Sequence, residues 1–434
     1  MMRSMYSGVS GLRIHQTKMD VIGNNIANVN TVGFKSSRTV FSEVFSQTIQ
    51  GSSGANENSG GTNPMQIGLG ASISSIDVDM TEGAAQRTDN PLDLKIEGDG
   101  FFVVSDVTGN KFTRAGAFRI DEAGNLVTPD GKNLMGWTPN EVSGEIEKTK
   151  VKALQVLNAS NAYVEPSQTE KMVIQGNINK NDPQLAVLPG SPFSVSFFDS
   201  LGYKYTAQFY IQETATAYEF QFTLPANSIT DQDGNTIIND AQNVTVPFDT
   251  ASGKVTVPPV FELTGLANSA TPALTFSEFS DPIEVDVSGL TLFNGNTTVE
   301  GVSGDVNGLG AGNEAGSISG FEIGGDGRIL GRYTNGETKL LAQIVVATFQ
   351  NPAGLQKIGA NLFEVTNNSG DFDGIGEDIT SSGGAFNAGV LEMSNVDLSR
   401  EFTEMITTQR GFQANSRIIT SSDEMLQELV NLKR

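Results

Sequence analysis

Residues 394–434 read SNVDLSREFTEMITTQRGFQANSRIITSSDEMLQELVNLKR, and the fold turns on this run. Leu398, Phe402, Met405, Gln409, Phe412, Ser416, Ile419, Asp423, Leu426 and Val430 recur in alternating steps of four and three. That is the heptad seam of a helix lying along another helix. Ile418, Met425, Leu429 and Leu432 widen the apolar face toward the end. Ser394 or Asn395 is placed to cap the start, and Lys433 and Arg434 lie where a helix C-terminus favours cations. The interruptions at Gln409, Ser416 and Asp423 make the pairing specific rather than maximally stable. A mate stands at the other end of the chain, where Met5, Val9, Leu12, Gln16, Met19, Gly23 and Ile26 repeat the same alternation. Gly8, Gly11 and Gly23 each cost ~1 kcal/mol against alanine in a helix interior. This N-terminal segment, roughly Ser4 to Asn28, is therefore expected to be poorly ordered in the monomer and helical only when packed. Its glycines also admit another backbone at close range.

Between these helices lies a chain of different character. The formal net charge is −23, and residues 41–393 alone carry −26. An acidic exterior favours solubility and argues against nucleic-acid binding. The absence of cysteine excludes disulfides and thiol chemistry. A single histidine, His15, gives neither a metal cluster nor a catalytic group any partner, and no cofactor is expected. No apolar run approaches the ~18 residues of a membrane-spanning helix. The first residues lack the charged-then-apolar pattern of a cleavable signal peptide.

Taken in order, Asn30-Thr-Val-Gly33-Phe34 ends the first helix with turn chemistry. Phe41, Val44, Phe45 and Ile49 suit a short helix or strand, and residues 51–64 have the flexible composition of a linker or a loop. From Met65 the pattern is β. Ile73, Ile76, Val78 and Met80 suggest a strand with one irregularity. Leu92, Leu94 and Ile96 alternate, and Gly98-Asp99-Gly100 reads as a hairpin turn into Phe101-Phe-Val-Val104. Further turns fall at 108–110, 122–125 and 129–131. Residues 150–314 are also β-rich, with Val255 to Val257 among the strands. From about Gly316 the short strands and tight glycine turns of 65–137 resume, with turns at 324–327 and 335–336 and one long strand, Leu340 to Phe349. The acidic sets Asp231, Asp233, Asn235 and Asp371, Asp373, Gly376 miss the spacing of a calcium loop and read as turns. The class is α+β. Residues 1–34 and 390–434 form an inner coiled-coil domain, 35–74 a linker and extended segment, 75–149 with 315–389 an inner β domain, and 150–314 an outer β domain. The β domains are expected to be mainly antiparallel.

Ser10-Gly-Leu12, Gln16, Asp20 and the run Gly23-Asn-Asn-Ile-Ala-Asn-Val-Asn-Thr-Val-Gly-Phe-Lys35 resemble the N-terminal signature of the bacterial flagellar axial proteins of the rod and hook. Ser394-Asn-Val-Asp-Leu398 and Gln409-Arg410-Gly-Phe-Gln413 are similar to the matching C-terminal segment, and Asp93 to Val104 to the opening of the family's inner β domain. The large insertion at 150–314 is similar to that of the hook members. The resemblance implies a structural subunit, not an enzyme. It would be exported by the flagellar type III apparatus without a cleaved signal and polymerise with copies of itself into a curved, flexible tube that transmits motor torque. Its implied partners are the distal rod protein, the hook cap protein and the hook–filament junction protein. The implied assembly contacts are Met5, Val9, Leu12, Gln16, Met19, Asp20, Asn24, Asn25, Ile26, Asn28 and Asn30 on one helix, and Leu398, Phe402, Met405, Gln409, Arg410, Phe412, Ile419, Leu426 and Val430 on the other. Gly33, Phe34, Gly98, Asp99 and Gly100 shape turns. The four asparagines suit hydrogen bonds between subunits or a water-filled channel better than a hydrophobic core.

Two other readings compete. A distal rod protein shares the terminal signatures, but rod members are expected to be shorter and to lack the central insertion. A secreted β-rich hydrolase or adhesin would need a selected pair of carboxylates or internal repeats, and the sequence supplies neither.

Overall fold

A computed structural model describes residues 2–54, 60–140, 144–238, 241–256, 261–263, 267–268 and 282–432. Lys433 and Arg434, the tip of the expected linker at 55–59, and Val257 lie outside them. The fold is α+β, with one long helix at each end of the chain: α1, Met2–Ala27, and α2, Leu398–Asn431. The chain divides into two compact units. One comprises residues 1–158, 321–330 and 340–434, and the other 159–320 with 331–339.

In the first unit α2 is capped by Asp397, whose carboxylate accepts from the Ser399 and Arg400 N–H groups. Ser394 and Asn395, the expected caps, are used elsewhere: Ser394 is buried, and Asn395 binds the backbone of other segments. Cap chemistry alone did not distinguish three polar residues within four positions; the chain direction entering the helix did.

The extended segment that flanks residues 51–64 is strand-paired, forming a β-hairpin arm. Ser37–Glu43 pairs antiparallel with Ala71–Val78, Ser46–Gln50 pairs with Met65–Gly68, and a bridge joins Ser53 to Thr62. Val40 faces Ser75 and Phe41 faces Ile73, so Ser74 is the extra residue of a bulge. This is the irregularity the Ile73/Ile76 spacing suggested. Glycine and serine composition indicated flexibility, but the flanking alternation of Thr39, Phe41, Thr48 and Ile67 suffices for a ladder.

The β core of this unit centres on Phe101–Asp106. Phe101, Phe102, Val103 and Val104 are all buried, because the strand is covered on both faces. One face packs Phe101 and Val103 with Phe112, Trp137, Val345, Ala347, Leu355 and Phe363. On the other, Phe102 meets Phe118 edge-on at 5.0 Å and stacks on Phe386 at 5.8 Å. Turns at 107–108, 121–125 and 128–132 close the hairpins that the sequence marked. Gly98-Asp99-Gly100 is a turn but not a hairpin. Leu94–Glu97 pairs with Ala385–Ala388, whereas Phe101–Asp106 pairs with Gly109–Thr113. Gly98 and Gly100 both have positive φ, which lets the chain change sheets there. The run Leu340–Phe349 breaks at Val345. Ile344 pairs with Gly136, and Val346 pairs with Phe102.

In the second unit a sheet of Ser191–Phe198, Lys204–Glu213, Glu219–Leu224 and Gln242–Pro247 shares a core with the sheet built on Lys171–Asn177 and Ile283–Thr291. Phe193, Phe197, Phe209 and Phe222 of the first meet Met172, Ile174, Val285 and Val287 of the second. The pairing is mainly antiparallel, while Lys171–Asn177 and Ile283–Thr291 run parallel. Asp231 closes a hairpin turn by accepting from the N–H groups of Asp233 and Asn235. Asp373 likewise accepts from the Ile375 and Gly376 N–H groups in a turn.

Replacing Phe102 by alanine removes a ring packed against two others. The expected loss is about 3–5 kcal/mol, read as a lower denaturant midpoint for the first unit, with the second unit's transition unchanged.

Candidate assembly interface

The two helices pack antiparallel, and glycine decides how. A Cβ on Gly8 would lie 3.2 Å from the Ile419 side chain, one on Gly11 2.5 Å from the Asn415 amide, and one on Gly411 2.7 Å from the His15 ring. Farther along, Lys18 Nζ lies 3.2 Å from Glu404, and the Asn25 amide donates to Glu401 at 3.2 Å. The line of closest approach is thus Gly8, Gly11, His15, Lys18, Ile22, Asn25 on α1 and Glu401, Glu404, Thr408, Gly411, Asn415 on α2. Each line runs in steps of three and four, one residue before the apolar stripe read from the sequence. The partner that the glycine-rich α1 requires is supplied within the chain.

The apolar stripes therefore flank the contact rather than filling it. Met5, Leu12, Met19, Ile26, Met405, Phe412, Ile419 and Leu426 are half-buried. Val9, Gln16, Leu398, Phe402, Gln409 and Val430 are exposed, as are Asp20, Asn24, Asn30 and Arg410. The heptad reading assumed large knobs at the seam, whereas small residues let the backbones approach and displace the knobs sideways. The spacing of Gly8, Gly11 and Gly411 was the signal in the sequence.

The asparagine-rich signature works largely inside the chain. Asn25 is buried; besides Glu401 it donates to the Ser37 carbonyl at 2.9 Å and accepts from the Ser37 N–H at 3.0 Å. Asn28 closes the last turn of α1 on Asn24 and accepts from Thr31. Only Asn24 and Asn30 of the four keep exposed side chains.

At the roots of both helices lies a buried cluster of charge that the sequence reading missed. Lys35 and Glu392 are each 1% exposed. Lys35 Nζ donates to Glu392 Oε1 at 2.7 Å, to the Thr81 carbonyl at 2.7 Å and to the Met80 carbonyl at 3.4 Å, which uses its three protons. Glu392 Oε1 also accepts from the Gly83 N–H, and its Oε2 lies 3.7 Å from Arg114 Nη1. Arg114, itself buried, donates to the Gly98 carbonyl and lies over the Phe101 ring. Burial pushes the Lys35 and Arg114 pKa values down, and Glu392 opposes that in both. Around the pair, the Gly33 N–H donates to the Glu392 carbonyl at 2.8 Å, and the Ser36 N–H to Asn395 Oδ1 at 2.8 Å. Gly33 has φ +67°, and a Cβ there would meet the Ala115 N at 2.6 Å. Phe34 is buried beneath the Lys357 ammonium, 4.8 Å from its ring. The sequence hint was a charged residue at the edge of each signature: Lys35 ends the first, and Glu392 stands two residues before the second.

These two signatures and a β segment between them match known families. Residues 5–35 match "Flagella basal body rod protein", 95–177 "Flagellar hook protein FlgE/F/G D1 domain", and 387–432 "Flagellar basal body rod FlgEFG protein C-terminal". The flagellar hook protein FlgE of Borreliella burgdorferi is 36% identical over 467 residues, covering 100% of both chains. That of Treponema pallidum is 34% identical over 478 residues, again covering 100% of both. The chain belongs to the flagellar hook protein family. It is accordingly a structural subunit of the flagellar hook. A Bacillus subtilis protein named flagellar basal-body rod protein FlgG is also 33% identical, over 434 residues and 100% of each chain.

Two outcomes test this geometry. Gly33→Ala forces a left-handed alanine against the Ala115 backbone and is expected to cost roughly 2 kcal/mol or more, measured by chemical denaturation. His15, with Nδ1 buried and without a hydrogen-bond partner, has its pKa lowered from 6.5 by burial and by Lys18. The unfolded chain thus takes up this proton first as pH falls. Stability of the helix pair should be full above pH 6.5 and decline as pH falls below that value to the lowered folded pKa. Circular dichroism melts of the wild type and of His15→Asn will check this, the variant losing that step.

Proposed function

We propose that the chain polymerises with copies of itself into the curved, flexible tube of the hook, a universal joint between rod and filament. The observation that carries this is the apolar surface a single chain leaves uncovered on the paired helices and the arm. Phe402, Ile406, Met425, Leu429 and Val430 are exposed along α2, and Val44, Phe45, Ile49, Met65 and Ile67 along the arm. Continuous apolar surface on a structural subunit marks a contact with another molecule, and for a homopolymer that molecule is a second copy. On this reading the half-buried flanking stripes complete their burial between neighbouring chains. Of the contact residues that the family resemblance implies, Val9, Gln16, Asp20, Asn24, Asn30, Leu398, Phe402, Gln409, Arg410 and Val430 are exposed and available to do so.

The four-part division into inner helices, segment 35–74, inner β domain and outer β domain belongs to the same proposal. So do export through the flagellar type III apparatus without a cleaved signal peptide and contacts with the distal rod, hook cap and hook–filament junction proteins. The absence of cysteine suits passage of an unfolded chain, since no disulfide can trap it. Flexibility is assigned to sliding between copies rather than to a loose linker, because 37–50 and 65–78 are strand-paired.

The test is electron microscopy under polymerising conditions. Curved tubes are expected from the full chain and none from a chain lacking residues 1–34 and 390–434; straight, short tubes would favour the rod reading, and a monodisperse monomer in the presence of seeds would refute self-assembly. In a separate variant, Phe45→Ser with Ile49→Ser should slow or abolish tube growth while leaving the melting transitions of both units unchanged.

A further inference from the structure

The buried cluster at the helix roots is asymmetric. Lys35 has one carboxylate within bonding distance, Glu392, and beside it the Arg114 guanidinium, which disfavours its charge. Glu82, the other carboxylate near it, is engaged with Lys95 at 3.6 Å and with the Gly98 N–H. Glu392 is differently placed. Without Lys35 it would still face Arg114 and accept from Gly83, both on the β unit. The segment bearing Glu392 has further holds on that unit. Val390–Glu392 pairs with Ala85–Arg87, the Met393 N–H donates to Ala84, and Asn395 donates to Asp79 and Thr81. Four of the backbone and side-chain bonds that hold 33–36 end on residues 392–395, and others end on residues 79–81 and on Lys357.

From this asymmetry we infer that Glu392 is a positioning residue that sets an order of docking: the N-terminal root, residues 29–38, locks onto the β unit only after residues 390–397 are in place. An ammonium and a guanidinium cannot be buried together without the carboxylate between them. A chain that emerges N-terminus first therefore keeps the root of α1 unlocked until its last forty or so residues arrive. The second helix then finds the first still free to pair. This deepens the assembly reading, but it is measured on the soluble full-length chain, so failure to polymerise would leave it untouched.

The experiment is hydrogen exchange resolved by peptide on the full chain and two variants. Glu392→Gln keeps shape and removes the charge; it is expected to speed exchange in both 29–38 and 390–397, on the order of a hundredfold. Lys35→Met keeps the stem and removes the ammonium; it should loosen 29–38 and leave 390–397 protected. Residues 101–113 should stay protected in both variants. Unchanged protection at 29–38 in Glu392→Gln would overturn the inference. So would equal loosening of 390–397 by the two variants. Loss of protection at 101–113 would overturn it as well, because Glu392 would then belong to the sheet's core rather than to the docking of its ends.

Discussion

The buried pair of Lys35 and Glu392 is the contact on which the arrangement of the first unit depends. Residues more than three hundred apart in sequence meet there with almost no solvent. A buried ion pair adds little net stability against a well-packed apolar pair, yet removing one partner costs about 3–5 kcal/mol. Its value lies in specificity. The ammonium accepts no substitute for its three acceptors, and the carboxylate is held on both oxygens by different segments. The directions in which α1 and α2 leave the β unit follow from where these two side chains must meet.

Above that point the helices pair by a different logic. Close approach comes from Gly8, Gly11 and Gly411, and register comes from Lys18 with Glu404 and Asn25 with Glu401. Small residues at the contact and polar pairs toward its root leave the large apolar side chains on the flanks. The proposed self-assembly draws on that division. The subunit's own fold uses the small residues, and the large ones remain for further burial. The arm follows the same division, since two strands satisfy each other's backbone groups while their apolar side chains stay exposed.

Much of this was legible in the chain. The terminal helices, the turns at 107–108, 121–125 and 128–132, the bulge at Ser74 and the return of a β pattern after 316 all follow from local periodicity and turn chemistry. Other features were not legible, for specific reasons. Which face of a heptad helix meets its mate depends on how closely the backbones approach, and periodicity is the same one residue either way. The arm was hidden because residues 51–64 have a linker's composition, and strand pairing across such a loop is a long-range fact. Gly98 to Gly100 read as a hairpin because local turn chemistry does not reveal that the two strands belong to different sheets.

The sequence by itself determined the class, the nesting of one region inside another and the family, because these rest on patterns written within short segments. Tertiary structure alone decided that Asn25 bonds within the chain rather than between copies. It also decided that Asp397 caps α2, and that Lys35, Arg114 and Glu392 form one buried cluster. Each of these depends on which distant segments share a low-dielectric space, and the energy of a charge or an amide is set by that space rather than by its neighbours along the chain.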